Sequence, residues 1–201
     1  MLRVGLTGGL ASGKSTVGRM LADLGCLLIE DDKLGHQVME PSGEAYEGIL
    51  AEFGPEILNP DSTINRRRLG ALVFSDPARL AKLNGLVHPP VHARERALVD
   101  AYAKSHPNGI AVTEAAILVE TGSYKDYDRL IVAVCRPEQQ MERSMARDQL
   151  SREEVVDRLS RQMPLEEKAK YADFIVDTSG SKENTLHQTQ AVYESLKRLN
   201  P

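Results

Sequence analysis

Residues 8–15 read Gly8-Gly9-Leu10-Ala11-Ser12-Gly13-Lys14-Ser15 and fill every fixed position of the pattern G-x-x-x-x-G-K-S/T. The apolar run Leu2–Thr7 precedes this segment, and Val17, Met20 and Leu21 follow it at helical spacing. A loop of this kind between a strand and a helix turns its backbone N–H groups inward around an anion, and the helix N-terminus adds partial positive charge. We therefore predict that the segment from Gly8 to Thr16, here called the phosphate loop, binds a nucleoside triphosphate.

Two side chains of the phosphate loop have predicted roles in this binding. Lys14 would reach the β- and γ-phosphates, and the Ser15 hydroxyl would bind Mg²⁺. The alternative is a glycine-rich turn that binds nothing, which the complete motif and its strand–loop–helix setting disfavour. The motif leaves open what happens to the γ-phosphate, although the chain contains no N-K-x-D sequence of the kind a GTPase uses to recognise its base.

Five short apolar runs predict the strands of a parallel sheet. Each is rich in Val, Ile or Leu and lacks strict alternation, which is typical of strands that are buried on both faces. The runs are Leu2–Thr7, Cys26–Ile29, Ile110–Thr113, Leu130–Cys135 and Phe174–Val176. Helical patterns lie between them, so we predict a doubly wound α/β fold with a long helical insertion between the second and third strands.

Local signals predict where three of the helices begin. Ser75-Asp76-Pro77 predicts an N-cap followed by Pro in the first turn. Ser151 together with Glu154 predicts a capping box at the start of another helix. A terminal amphipathic helix is predicted from about Lys182.

Composition argues against several functional classes. The 201 residues carry a net charge of −4 and include no Trp and three Phe, which disfavours a general nucleic-acid binder. No apolar stretch approaches the length of a membrane span, and no signal peptide fits the first residues. Cys26 and Cys135 lie in apolar runs, which predicts buried free thiols. We expect a cytoplasmic protein with neither a nucleic-acid nor a membrane partner.

Three carboxylates follow the second predicted strand, in the sequence Glu30-Asp31-Asp32. They lie at the carboxyl edge of the predicted sheet, where α/β proteins bind their ligands. Asp32 or Glu30 is therefore a candidate to accept the proton of an acceptor hydroxyl, or to hold Mg²⁺ through water. The alternative is that the residues cap the next helix, and which of the three contacts the metal stays open.

Arg143 and Arg147 lie four residues apart in a segment with a helical pattern. Like charges at this spacing repel each other unless an anion lies between them, and a triphosphate is such an anion. We predict that both arginines close over the transferring phosphoryl group and that Arg147 also binds ATP. The alternative is a solvated surface, because acidic residues balance the charge locally.

A second basic run, Arg66-Arg67-Arg68, lies in the long insertion, with His88 and His92 further along. Such a run is commonly solvated surface, but it also suits a phosphate group on the second substrate. We take Arg67 and His88 as candidate substrate-binding residues. The spacing of the histidines does not match a zinc site.

A series of modest motifs resembles one known family along nearly the whole chain. Gly5–Thr16 matches the family's opening, and Glu30-Asp31-Asp32 corresponds to its Asp-Ala-Asp. Ile117–Glu120 matches a leucine-rich strand that ends in glutamate. The other matching segments are Arg66–Leu69, Val73–Asp76, Leu83-Asn84, His88-Pro89, Arg143–Asp148, Arg158, Gln162, Ala172–Val176 and Gly180. In this order they resemble the dephospho-coenzyme A kinases.

The resemblance implies a P-loop kinase fold, with a five-stranded parallel sheet flanked by helices, a helical substrate insertion and a helical lid. Residues 1–32, 110–135 and 162–201 would form the nucleotide-binding core, residues 33–109 the coenzyme A-side insertion, and residues 136–161 the lid. It also implies Mg²⁺-dependent transfer of the γ-phosphate of ATP to the 3′-hydroxyl of dephospho-coenzyme A, the last step of coenzyme A synthesis. Asp32 aligns with the family's candidate base.

Three positions depart from the family's pattern. Glu30 replaces the first aspartate, so its extra methylene shifts any metal contact made there. Ala116 stands where many members have proline, and Thr178 replaces a common asparagine that bears on the adenine-side contacts. Two other functions stay open: a kinase that acts on a nucleoside or nucleotide, and a regulator that binds ATP without turning it over.

Overall fold

The computed structural model describes residues 1–200 and contains a five-stranded sheet. The strands are β1 (Leu2–Gly8), β2 (Leu27–Glu30), β3 (Ile110–Glu114), β4 (Arg129–Val134) and β5 (Phe174–Asp177). Their order is β2-β3-β1-β4-β5, and every neighbouring pair is parallel. The predicted α/β class and the five predicted strands are confirmed.

Helices connect the strands throughout. The α-helices are α1 (Lys14–Asp23), α2 (Asp31–Val38), α3 (Tyr46–Phe53), α4 (Arg66–Val73), α5 (Pro77–Ser105), α6 (Leu118–Thr121), α7 (Pro137–Asp148), α8 (Arg152–Ser160), α9 (Leu165–Ala169) and α10 (Lys182–Leu199). Short 3₁₀ helices span Pro55–Ile57 and Ser123–Asp126. Among the described residues, none of the helices combines the length and apolar character that crossing a bilayer requires.

Alternate residues of β4 pack into two different hydrophobic clusters. Ile131 and Ala133 join a cluster that also includes side chains of α1 and α10. Leu130 and Val132 join another, to which α6 contributes. Successive side chains of a strand point to opposite faces of its sheet, so apolar residues are required at each of the four buried positions of β4, from Leu130 to Ala133. This double burial explains why the strand sequences show no strict alternation.

The chain divides into two compact units. The first comprises Met1–Glu30 and the residues from Ala101 onward, and it contains the whole sheet. The second, Asp31–Asp100, is helical and lies within the long insertion predicted between the second and third strands. Its buried apolar side chains include Leu34, Val38, Ile49, Phe53, Ile57, Leu69 and Val73.

Helix starts agree with the sequence in two cases and differ in detail in a third. The capping box of Ser151 and Glu154 opens α8, and Ser181 caps α10 directly before Lys182. Pro77 begins α5 as predicted, but the capping oxygen belongs to Asp76, whose Oδ1 accepts from the Ala78 N–H at 2.9 Å. Ser75 instead donates its hydroxyl to the Ala71 carbonyl in the preceding turn.

The family resemblance matches Ile117–Glu120 to a strand, and this expectation is wrong. β3 ends at Glu114, and the chain then turns into α6, in which the Thr121 N–H donates to the Ile117 carbonyl. The apolar character of this segment comes from the burial of Leu118 and Val119 against the sheet rather than from strand pairing.

Both cysteines are buried free thiols, as predicted, but each lies one residue outside its strand. Cys26 precedes β2 and Cys135 follows β4. Burial raises the pKa of the Cys26 thiol to about 12 and also raises that of Cys135. The protonated thiols therefore act as small apolar side chains in the core.

The second unit also contains buried acidic groups. Glu95 on α5 is 3% exposed, and Asp31 begins α2 with its Oδ1 buried and without a hydrogen-bond partner. Burial, together with the charges of Glu95 and Asp32, raises the pKa of Asp31 to about 7. His92 lies near this group, with its Nδ1 3.7 Å from Glu95 Oε2.

Asp31→Asn is expected to flatten the pH dependence of folding stability. Because the pKa is raised from 3.8 to about 7, the folded chain keeps a proton that the unfolded chain releases, so stability falls as pH rises through this interval. Urea unfolding at pH 5 and pH 8 should show a smaller loss of stability for Asp31→Asn than for wild type. Asp23→Asn, an exposed control, should keep the wild-type difference; equal losses in all three proteins would contradict the shift.

Candidate active site

The phosphate loop connects β1 to α1, and its backbone requires glycine at the end. Gly13 is the N-cap of α1 and has a left-handed φ of 86°. A Cβ built on Gly13 would lie 2.8 Å from the side chain of Thr178. No side chain caps this helix, while the Gly13 carbonyl accepts from the Thr16 N–H at 2.9 Å. The N–H groups of Lys14 and Ser15, which precede Thr16 in the first turn, are thus the ones left for an anion.

One buried carboxylate, that of Glu114, holds the two functional side chains of the loop. Glu114 ends β3 beside Leu6 of β1 and is 4% exposed. Its Oε1 is 2.7 Å from Lys14 Nζ and accepts the Ser15 hydroxyl at 2.5 Å. Its Oε2 is also buried and has no hydrogen-bond partner among residues 1–200. Lys14 and Ser15 therefore meet at one oxygen of this carboxylate.

Glu114 was not predicted as a site residue from the sequence, where the third strand was expected to end at Thr113. The signal was present, because Glu114 follows a buried run at the carboxyl edge of the sheet, as Glu30 does. In the sheet Glu30 and Glu114 are register partners on neighbouring strands. The strand order that brings Glu114 beside the phosphate loop could not be derived from local sequence.

The oxygen atoms around Ser15 fit a hard divalent cation. Ser15 Oγ and the Glu114 carboxylate are ligands of the type that Mg²⁺ takes, and the second carboxylate oxygen is unpartnered. Within residues 1–200 no group of three or more His, Cys, Asp or Glu side chains could hold a metal by itself. A Mg²⁺ ion would therefore need ligands from water and from the phosphates of a nucleotide.

Two glutamines hold the backbone of Leu10 in the phosphate loop. Gln162 Oε1 accepts from the Leu10 N–H at 2.9 Å, and Gln140 Nε2 donates to the Leu10 carbonyl at 2.9 Å. A Cβ on Gly9 would lie 2.6 Å from Gln140 Nε2, so glycine is needed for this approach. Gln140 was missed by the sequence analysis, because nothing in its local pattern distinguishes it from other polar residues of α7.

Arg143 reaches the phosphate loop through Thr178. Its Nη1 donates to Thr178 Oγ1 at 3.0 Å and its Nη2 to the Thr178 carbonyl at 2.7 Å. The Thr178 hydroxyl in turn donates to the Ser12 carbonyl at 2.8 Å. Thr178, which departs from the resembled family, therefore joins α7 to the loop and places a guanidinium close to it.

Arg147 has a different partner in this conformation. Its exposed guanidinium forms two hydrogen bonds to Asp148, at 2.8 and 2.9 Å, and holds the pKa of that carboxyl below its usual range. Arg158 also lies 3.9 Å from Asp148. The structure thus brings Arg143 to the loop and does not bring Arg147 to the same partners.

The remaining predicted site residues belong to the second unit. Asp32 is exposed in the first turn of α2. His88 is half-buried, with its ring centroid 6.1 Å from that of His92, and burial lowers its pKa.

The three arginines of the basic run differ in their partners. Arg66 contacts His36 Nε2, and Arg68 donates to the Leu58 carbonyl at 2.9 Å. Arg67 is exposed and makes no hydrogen bond or ion pair with residues 1–200. Of the three guanidiniums, that of Arg67 is therefore the one without a partner among these residues, and its role in substrate binding stays a prediction.

Comparisons with known proteins identify the family of the chain. The family model described as dephospho-CoA kinase matches residues 2–184. A dephospho-CoA kinase from Syntrophus aciditrophicus is 41% identical over 196 residues, which are 98% of this chain and 83% of the relative.

Solved structures give the same result. A crystal structure of a Thermus thermophilus protein superposes with a TM-score of 0.81 at 34% identity, covering 97% of each chain. The dephospho-CoA kinase of Campylobacter jejuni superposes with a TM-score of 0.69 at 28% identity, covering 99% of this chain and 98% of the other. With a family match over nearly its whole length and a phosphate loop of the required geometry, the chain belongs to the dephospho-CoA kinase family.

Proposed function

We propose that this chain transfers the γ-phosphate of ATP to the 3′-hydroxyl of dephospho-coenzyme A, giving coenzyme A and ADP. It would thereby catalyse the last step of coenzyme A biosynthesis. The observation that carries the proposal is the family match over residues 2–184, joined to a phosphate loop whose Lys14 and Ser15 meet at one buried carboxylate. The protein is accordingly an ATP-dependent phosphotransferase with an alcohol group as acceptor.

ATP would bind along the phosphate loop, from Gly8 to Thr16. The free N–H groups at the start of α1 and the Lys14 ammonium would meet the β- and γ-phosphates. Ser15 would hold Mg²⁺, with Glu114 directly or through water, and the ion would neutralise charge on the phosphate oxygens. Lys14 is already fixed at 2.7 Å from Glu114, so little side-chain entropy remains to be lost when phosphate binds.

Asp32 is our candidate for the general base. An exposed carboxylate in the first turn of α2 is accessible to an acceptor, and it would accept the proton as the 3′-hydroxyl oxygen attacks the γ-phosphorus. Arg67 and His88 would bind the acceptor, with the free Arg67 guanidinium on one of its phosphates. In this scheme residues 33–109, the coenzyme A-side insertion, bind the acceptor.

Arg143 and Arg147 are proposed to neutralise the charge of the transferring group. Arg143 is already joined to the loop through Thr178, whose hydroxyl donates to the Ser12 carbonyl. Arg147 would have to exchange Asp148 for a phosphate, which requires movement within the proposed lid, residues 136–161. Donors aimed at the oxygens where negative charge develops are the main source of catalysis in phosphoryl transfer.

A coupled assay of ADP release tests the proposed function. Purified protein with ATP and Mg²⁺ should release ADP rapidly when dephospho-coenzyme A is added, and only slowly with adenosine or adenosine monophosphate. If ADP were released faster with adenosine or adenosine monophosphate than with dephospho-coenzyme A, the chain would be a nucleoside or nucleotide kinase. ATP binding without ADP release, whichever acceptor is offered, would identify a nucleotide-binding regulator instead.

Asp32→Asn should lower kcat about 10²- to 10⁴-fold, because the neutral amide cannot accept the hydroxyl proton. ATP affinity, measured by calorimetry, should stay at the wild-type value, since the proposed role concerns the acceptor. Asp100→Asn, another exposed aspartate of the second unit, should leave both quantities unchanged. Near wild-type turnover in Asp32→Asn would exclude Asp32 as the base.

Gly13→Ala should weaken ATP binding at least about tenfold, because left-handed strain combines with a clash against Thr178. Gly122→Ala is the matched control: its φ is also positive, 78°, but a Cβ there would meet nothing within 4 Å. Both variants should lose about 1–2 kcal/mol of folding stability through backbone strain. If ATP affinity fell equally in both, the contact between the loop and Thr178 would not be the cause.

A further inference from the structure

Lys168 in α9 has no part in the scheme above, yet its side chain is completely buried. Removing an ammonium group from water is costly unless the charge is paired and every N–H has an acceptor. A lysine at 0% exposure therefore marks a position where a fixed cation is needed, or where nearby groups compensate it fully.

Three acceptors surround the ammonium group, which matches its three donors. Lys168 Nζ lies 2.7 Å from the Ala116 carbonyl oxygen, 2.8 Å from Glu120 Oε1 and 3.4 Å from the Gly8 carbonyl oxygen. The carboxylate of Glu120 supplies the opposite charge, and its side chain is 22% exposed. The pair is thus satisfied in charge and, with one long contact, in hydrogen bonding.

These contacts converge on the first half of the phosphate loop. Gly8 is both the last residue of β1 and the first of the loop. Glu120 Oε1 also accepts from the Met163 N–H at 3.1 Å, and the neighbouring Gln162 accepts from the Leu10 N–H. The ion pair therefore acts on the Gly8 carbonyl directly and on Leu10 through residues 162–163.

The Gly8 carbonyl lies where the sheet passes into the phosphate loop. Gly8 is the register partner of Ala133 in β4, and its carbonyl oxygen contacts Lys168 Nζ. Because a trans peptide is planar, a carbonyl oxygen that is held in place fixes its whole peptide. The Lys168 contact therefore fixes the peptide with which the loop begins.

We propose that the ion pair between buried Lys168 and Glu120 is a positioning device for the phosphate loop: it fixes the Gly8 carbonyl at the start of the loop and, through residues 162–163, the backbone of Leu10. Lys168 is then a positioning residue that acts on ATP binding and phosphoryl transfer without touching ATP. The KM measurements that test this inference rest on the proposed function. The Kd for ATP does not, because it can be measured without an acceptor.

Lys168→Met tests the proposal, since it keeps the length and apolar stem of the side chain and removes the ammonium group. We expect the Kd and KM for ATP to rise at least about tenfold, a free-energy change of about 1.4 kcal/mol, while the KM for dephospho-coenzyme A stays the same. Lys170→Met is the matched control, because Lys170 is exposed and pairs with Glu167 at 2.7 Å. It should match wild type in all three quantities.

A second variant separates positioning from general damage. Lys168→Met combined with Glu120→Leu leaves no unpaired buried charge, and urea unfolding should return close to the wild-type stability. Weak ATP binding that persists in this folded double variant supports the proposal. Full recovery of ATP affinity would overturn it, because the loss would then come from the stranded Glu120 charge; a wild-type enzyme inactive on dephospho-coenzyme A would instead overturn the proposed function.

Unchanged ATP affinity in a folded Lys168→Met single variant would also overturn the proposal. Equal increases in the KM values for ATP and dephospho-coenzyme A would overturn it as well, because a general loss of structure affects the binding of both substrates. The decisive readout is therefore a rise in the KM for ATP without a rise in the KM for dephospho-coenzyme A.

Discussion

The buried carboxylate of Glu114 is the interaction on which the site depends. It lies at the carboxyl end of β3, and its Oε1 holds both Lys14 and Ser15. The parallel pairing of β1 with β3 brings it there, since Leu6 and Glu114 are register partners. A negative charge in this buried position would be costly alone, and the Lys14 ammonium offsets it. The sheet topology thus determines the chemistry available to the phosphate loop.

Four side chains from outside the loop hold its backbone in place. Gln140 and Gln162 fix both polar groups of Leu10, and Thr178 fixes the Ser12 carbonyl. Lys168 lies against the Gly8 carbonyl. These contacts fix the loop backbone before the nucleotide binds, which is the preorganisation that phosphoryl transfer requires.

Local sequence was sufficient for the loop, the five strands and three helix starts, because glycine spacing, apolar runs and caps act over a few residues. It was insufficient for partners far apart in the chain, such as Lys14 with Glu114 and Ser12 with Thr178. Nor did it foresee that α5 continues through Pro89-Pro90, since proline is expected to interrupt a helix. The apolar segment at Ile117–Glu120 was wrongly expected to be a strand, because a buried helical turn and a buried strand have similar composition.

Identification of the phosphorylated position tests the account most directly. The protein would be incubated with ATP, Mg²⁺ and dephospho-coenzyme A, and the acceptor then analysed by ³¹P NMR and mass spectrometry. The account predicts one additional phosphoryl group, attached as a monoester to the ribose 3′-oxygen, in amounts equal to the ADP formed. Inorganic phosphate with an unchanged acceptor, or a phosphoryl group at another position, would contradict it.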